Sequence, residues 1–206
     1  MPTQLTRRQT LCLAACALVV ASMAPHYARA QQPAGVDAFI KGFAQDLIAI
    51  VNGPEPAAQK KSALGPVIDR NVDVEGVARF CLGRFWASAT PAQQSEYVTL
   101  FHHVLLNNIS GHLGDYRGVS YTLTGDTQQG GRTLVGSTIT RPNQPPIDVQ
   151  WVVDSASGAP KVVDVIAEGT SMRITTRSDY ASYLSQHGNS IDALIAALHR
   201  QLDNNA

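Results

Sequence analysis

The side chains able to do chemistry are thinly spread along this 206-residue chain. His102 and His103 are neighbours in a stretch with helical spacing, where adjacent positions point about 100° apart, so they do not share a face well enough to hold one metal ion. His112 and Asp115 follow without a third ligand, and neither an H-E-x-x-H motif nor paired cysteines is present. Cys81 could act as a nucleophile with a histidine of the same long segment as its base. Its spacing from Val77 and Phe80, however, puts it on a buried helix face. There is no G-x-S-x-G, P-loop or G-x-G-x-x-G, and the carboxylates form no close pair suited to acid/base work. This pattern predicts a protein that is not an enzyme and needs neither a metal nor a cofactor.

The ends of the chain point to export. Arg7 and Arg8 begin a charged region, Leu11 to Met23 are uncharged and apolar, and Ala28-Arg29-Ala30 is a small-residue cleavage site. Residues 1–30 are therefore read as a signal peptide cut between Ala30 and Gln31, leaving a soluble domain at 31–206. The apolar run is shorter than the roughly 20 residues needed to span a bilayer. Thr6 to Leu11 resembles a twin-arginine signal without its usual phenylalanine. Leu13-Ala14-Ala15-Cys16 resembles a lipoprotein box, although the apolar run continues beyond Cys16. Without Arg7, Arg8 and Arg29, the 16 basic residues fall to 13 against 16 acidic ones. No basic excess then remains for nucleic acid. Cys12 and Cys16 leave with the signal, so Cys81 has no partner for a disulfide.

Period and punctuation predict the elements that position these residues. Val36, Phe39, Ile40, Phe43, Leu47, Ile48 and Val51 recur at helical spacing over 36–52. A short polar helix follows at 56–64, stopped by Gly65-Pro66, and Asp73 caps another helix running to about Leu82. The strongest helix is 91–114, with Thr90, Pro91 and Gln93 forming its capping box and a Tyr97, Phe101, Leu105, Ile109, Leu113 stripe along one side. Alternation then replaces the helical period. Strands are expected near 119–123, 132–140, 147–153 and 161–168, with 125–131 as a hairpin loop and the proline-rich 141–146 as a connection. Helices at about 177–186 and 191–203 close the chain. The expected class is α+β: a four-stranded antiparallel curved sheet, cystatin- or NTF2-like, packed against several helices. The helical part covers 36–114, the sheet 119–168, and the C-terminal helices lie within 172–203.

The apolar side chains exceed what one sheet face requires. Val135, Gly136, Val149, Val153, Val163 and Val165 suit either a filled core or a cavity for an apolar ligand between sheet and helices.

Residues 73–86, Asp-Val-Glu-Gly-Val-Ala-Arg-Phe-Cys-Leu-Gly-Arg-Phe-Trp, resemble the D-x-x-x-[IVA]-A-x-x-x-L-G-[RK]-x-W signature of the MlaC, or toluene-tolerance, family. Ala89 to Gln94, then Tyr97, Phe101, Leu105 and Tyr116, continue the likeness. Glu168 to Met172 and Arg177 to Tyr180 resemble the family's turn into its last helices. Cys81 stands where an aliphatic residue is expected, and the 141–146 loop is unusually proline-rich. The hopanoid-associated HpnM branch of the family looks equally similar.

The resemblance implies a periplasmic carrier that holds the acyl tails of a phospholipid, or a hopanoid-like lipid, between sheet and helices. It also implies shuttling between an outer-membrane lipoprotein–porin complex and an inner-membrane ABC transporter with an MCE-domain subunit. The other reading within the family is an interaction partner in hopanoid biosynthesis without general lipid transport. The residues expected to line the cavity are Val149, Trp151, Val153, Val163 and Val165 from the strands, with Val77, Phe80, Phe101, Leu105 and Met172 from the helices. Arg84 and Arg177 either hold helix ends or meet a headgroup phosphate at the mouth.

Overall fold

Helical spacing in the first third of the chain produces three helices that cover a sheet built by the alternating middle third. The computed structural model describes residues 35–112 and 116–204. The signal-peptide reading, Leu113 and Asp115 lie outside the described residues. All described residues fall within one compact unit.

Helix α1 is Val36–Asn52, α2 Ala57–Asn71 and α3 Val74–Leu82, followed by a 3-10 segment at Gly83–Ser88. Helix α4 is Pro91–Gly111, strands β1 to β5 are Ser120–Gln129, Arg132–Thr140, Ile147–Asp154, Lys161–Ala167 and Thr170–Ser171, and helices α5 and α6 are Met172–Gln186 and Ile191–Asp203. The strands lie side by side in chain order, all antiparallel. The α+β class and open antiparallel sheet follow the sequence reading, but the sheet has five strands, not four. The fifth is two residues long, and Thr-Ser carries no apolar alternation that would mark it.

The start signals read from the sequence operate as expected. Thr90 Oγ1 accepts from the Gln93 backbone N–H at 3.3 Å, while Gln93 Oε1 accepts from the Thr90 N–H at 3.0 Å. Asp73 accepts from Gly76 N–H at 3.0 Å. Two lysines satisfy helix ends, where carbonyls lack partners. Buried Lys60 donates to Val51 O at 2.6 Å, and Lys161 donates to Arg70 O at 2.7 Å.

Four boundaries differ from the sequence expectation. Helix α2 runs through Gly65-Pro66 to Asn71. Proline costs a helix interior about 3 kcal/mol. Fully buried Leu64 and nearly buried Ile68, one turn apart across Pro66, each offset that by about 1.5–3 kcal/mol. Strand β1 continues through 125–129, where a loop was expected, because a bulge between Leu123 and Gly125 preserves the pairing. The turn contracts to Gly130-Gly131, both at positive φ, as a two-residue hairpin requires. Helix α5 begins at Met172, five residues earlier than expected, capped by Ser171 accepting from Ile174 N–H. Helix α4 ends at Gly111 rather than 114.

The cores divide between the two faces of α4. Tyr97, Leu100, Phe101 and Val104 pack with α3, α5 and α6, where Leu184, Leu194 and Leu198 are almost fully buried. Val36, Ile40 and Phe43 of α1 pack with Ile68 of α2 and with Val135, Val153 and Val162 of the sheet. Leu105, Leu106 and Ile109 of α4 border that second cluster only in part. The space they leave is the candidate site.

Candidate functional site

A cavity of about 520 Å³ lies between the sheet and helices α1 to α5, within the size range of ligand pockets in proteins. Its wall is almost entirely apolar. Phe43, Leu47, Ile48 and Val51 come from α1, Leu64 and Ile68 from α2, and Phe101, Leu105 and Ile109 from α4. Ile139, Val149, Trp151, Val162, Val163 and Val165 come from the strands.

The register explains why the sheet lines it so evenly. Val135 pairs with Trp151 and Trp151 with Val165, while Ser137 pairs with Val149 and Val149 with Ala167. These pairs set successive cross-strand rows on one face. The register shifts between Val152 and Val153, whose partners are Asp164 and Val162. Val163 is thus the extra residue of a bulge, which allows both Val162 and Val163 to reach the cavity. Trp151 is held in place at both ends. Its indole N–H donates to Ser137 Oγ at 2.9 Å, and its ring meets Phe43 edge-on, with centroids 5.6 Å apart.

Eight of the ten residues expected to line a cavity do so: Val77, Phe101, Leu105, Val149, Trp151, Val163, Val165 and Met172. Val153 and Phe80 stand elsewhere. Val153 shares its face with Val149 and Trp151, but it lies further along β3, where Val36, Ile40 and Ile68 fill the space and leave it 1% exposed. Phe80 is turned away from the wall formed by Val77 and Cys81, and its ring stacks beneath the guanidinium groups of Arg173 and Arg177 at 4.5 and 4.9 Å. The α1 and α2 lining was missed as lining. Its signal is the apolar α1 stripe, Phe43, Leu47, Ile48 and Val51, whose spacing marks one face of a helix without saying what that face meets.

Arg84 and Arg177 do not reach the cavity either. They line a separate shallow pocket with Arg79, Phe80 and Trp86. Arg177 takes the helix-end role, donating to Phe80 O of α3 at 3.4 Å. The arginine that does line the cavity is Arg173, whose Nε lies 3.3 Å from Asp164 Oδ2. Asp164 is buried and also accepts from Ser171 Oγ and from the backbone N–H groups of Val165 and Arg173. With three hydrogen bonds to the Asp164 carboxylate, this ion pair anchors the start of α5 to β4 at the cavity wall. Met172 lines the cavity yet is 44% exposed, and exposed Asn108 and His112 line it near the end of α4. These residues mark where it reaches the surface.

The candidate chemical groups do not assemble. Cys81 faces the cavity, but burial, with a smaller contribution from the Asp164 charge, pushes its thiol up to about 12. The protonated thiol is a poor nucleophile. His102 sits 2.9 Å from Asp69 Oδ1, and neither it nor His103 lines the cavity. Burial likewise pushes the Tyr97 phenol far up, and its hydroxyl donates to Ala78 O at 3.0 Å. No cluster of three metal-ligating side chains occurs among the described residues, and no helix among them is long and apolar enough to cross a membrane.

An open antiparallel sheet with two bulges and the helices packed over it enclose a hollow whose wall is apolar, the architecture of a ligand-enclosing α+β protein. The family model described as MlaC protein matches residues 41–200, and the chain belongs to the MlaC family. The toluene tolerance protein Ttg2D of Pseudomonas putida is 27% identical over 134 residues, which cover 64% of this chain and 60% of that protein. The match therefore spans less than two thirds of that relative. A phospholipid-binding protein from Ralstonia solanacearum, solved in complex with a phospholipid, has the same fold with a TM-score of 0.73 at 21% identity. The likeness covers 82% of this chain and 97% of that one.

Proposed function

We propose that this protein is a periplasmic lipid carrier that encloses the acyl tails of a phospholipid in the cavity between sheet and helices. The observation carrying this reading is the wall itself. An almost entirely apolar wall around some 520 Å³, with only a few polar side chains in it, suits hydrocarbon far better than a polar metabolite. Each buried methylene is worth about 0.8 kcal/mol, so a tail of some fifteen carbons gains on the order of 10 kcal/mol on leaving water.

Val77, Phe101, Leu105, Val149, Trp151, Val163, Val165 and Met172 would contact the tails, while the headgroup would sit outside, at the opening beside Met172 and Thr176. Family membership and the phospholipid in the Ralstonia solanacearum protein support this assignment. Export by the signal at 1–30 would place the carrier between two membranes. There it would exchange lipid with an outer-membrane lipoprotein–porin complex and an inner-membrane ABC transporter bearing an MCE-domain subunit. Such a role requires neither catalysis nor a cofactor on the carrier.

Native mass spectrometry of the purified protein tests the proposal. The expected result is a co-purifying two-tailed lipid that is released by organic extraction. A protein that is repeatedly empty and takes up no lipid from phospholipid vesicles would overturn it.

A further inference from the structure

Three arginines outside the cavity converge on one surface pocket. Arg79 of α3, Arg84 of the 3-10 segment and Arg177 of α5 line it together with Phe80 and Trp86. The pocket shares no lining residue with the cavity, and the wall between them runs through α3. Arg70 is paired with Asp46 at 2.6 Å and Arg132 with Asp154 at 2.9 Å, whereas exposed Arg117 and Arg200 stand apart from the pocket without an ion pair among the described residues. Among the described residues, none of the three pocket arginines has a carboxylate within ion-pair distance.

Each of the three is nevertheless held in place. Arg79 lies over the Trp86 ring at 5.7 Å, Arg84 over Phe85 at 4.9 Å and Arg177 over Phe80 at 4.9 Å. Arg177 is seated most tightly. Gly83 adopts φ +59°, and a Cβ there would stand 3.1 Å from Cζ, Nε and Nη2 of Arg177. The absent side chain of Gly83 thus admits the flat guanidinium, and one of its N–H groups is used on Phe80 O. A guanidinium has five N–H donors, so the rest of the fork stays available.

Aromatic stacking fixes guanidinium planes without consuming their charge or their donors. Three cations arranged in this way around a shallow pocket match a tetrahedral oxyanion, which accepts paired N–H bonds from arginine. We propose that Arg79, Arg84 and Arg177 form a phosphate-binding site separate from the lipid cavity. The phosphate belongs either to a free ion or to a headgroup in a membrane surface. The assignment does not depend on what fills the cavity.

The test uses Arg79→Gln and Arg84→Gln, because Arg177 also holds the end of α3. In one arm, inorganic phosphate is titrated by calorimetry at constant ionic strength, with chloride as the balancing anion. In the other, the protein is co-sedimented with phosphatidic acid vesicles. Saturable phosphate binding that weakens about tenfold in each variant supports the site with the free ion as ligand. Vesicle binding that weakens similarly, without saturable binding of free phosphate, supports it with a headgroup as ligand. If neither arm separates the variants from the wild type, or if only an acidic peptide binds, the proposal is overturned. The lipid mass carried by each variant should match that of the wild type, which keeps this result distinct from a failure of the carrier reading.

Discussion

Cys81 illustrates how burial decides the role of a single residue. Its neighbours in the sequence allow either a nucleophile or a packed thiol. Its surroundings, a cavity wall 1% exposed and near the Asp164 charge, keep it protonated to about pH 12. The thiol pKa is raised above its usual value near 9, so the unfolded chain ionises first. The stabilisation is complete below about pH 9 and is lost as pH rises toward 12. Urea unfolding between pH 8 and about 11 should therefore show stability falling with pH, and falling less steeply in Cys81→Ala. Tyr97 and Tyr180, whose phenols are also raised by burial, leave some of the slope in place. Equal slopes in the two proteins would refute the assignment. Residues placed by strand alternation, such as Val149 and Val165, were legible because period 2 fixes their face. Phe80 was not, because the charges above it come from α5, almost a hundred residues away.

At the scale of elements, local signals decide where helices start, and tertiary burial decides where they stop. The Thr90–Gln93 box is readable within four residues and works as read. Thr90→Ala should lower stability by about 1 kcal/mol, measured by denaturant unfolding, without altering lipid content. A loss of lipid without a loss of stability would mean that Thr90 does something other than cap α4. Gly65-Pro66 reads as a stop, yet α2 passes through it because Leu64 and Ile68 are buried on either side. Strand β5 shows the converse. Its two residues carry no pattern of their own, and it exists because the Glu168-Gly169 turn returns the chain alongside β4, pairing Ala167 with Thr170.

For the whole molecule, the central question is whether the apolar excess fills a core or surrounds a hollow. The answer lies in how α1, α2 and α4 stand above the sheet, and it can be probed by filling the space. Ala44 of α1 is buried and lines the cavity. Ala44→Trp should exclude a few methylenes of a bound tail, at about 0.8 kcal/mol each, and weaken lipid retention by more than tenfold. Because the new ring enters existing space, stability should change by less than about 1.5 kcal/mol. Undiminished co-purified lipid, read by native mass spectrometry, would place the ligand elsewhere. By itself, the sequence determined the α+β class, the order of the main elements, the capped starts of α3 and α4 and the inward face of β3. These depend on periodicity and on contacts within a few residues. Only the tertiary structure decided that the hollow is open, that α1 and α2 wall it, and that three arginines from α3, the 3-10 segment and α5 meet away from it. Those outcomes depend on distances between segments far apart in the chain, and packing against a curved sheet sets such distances, not the spacing of residues along any one segment.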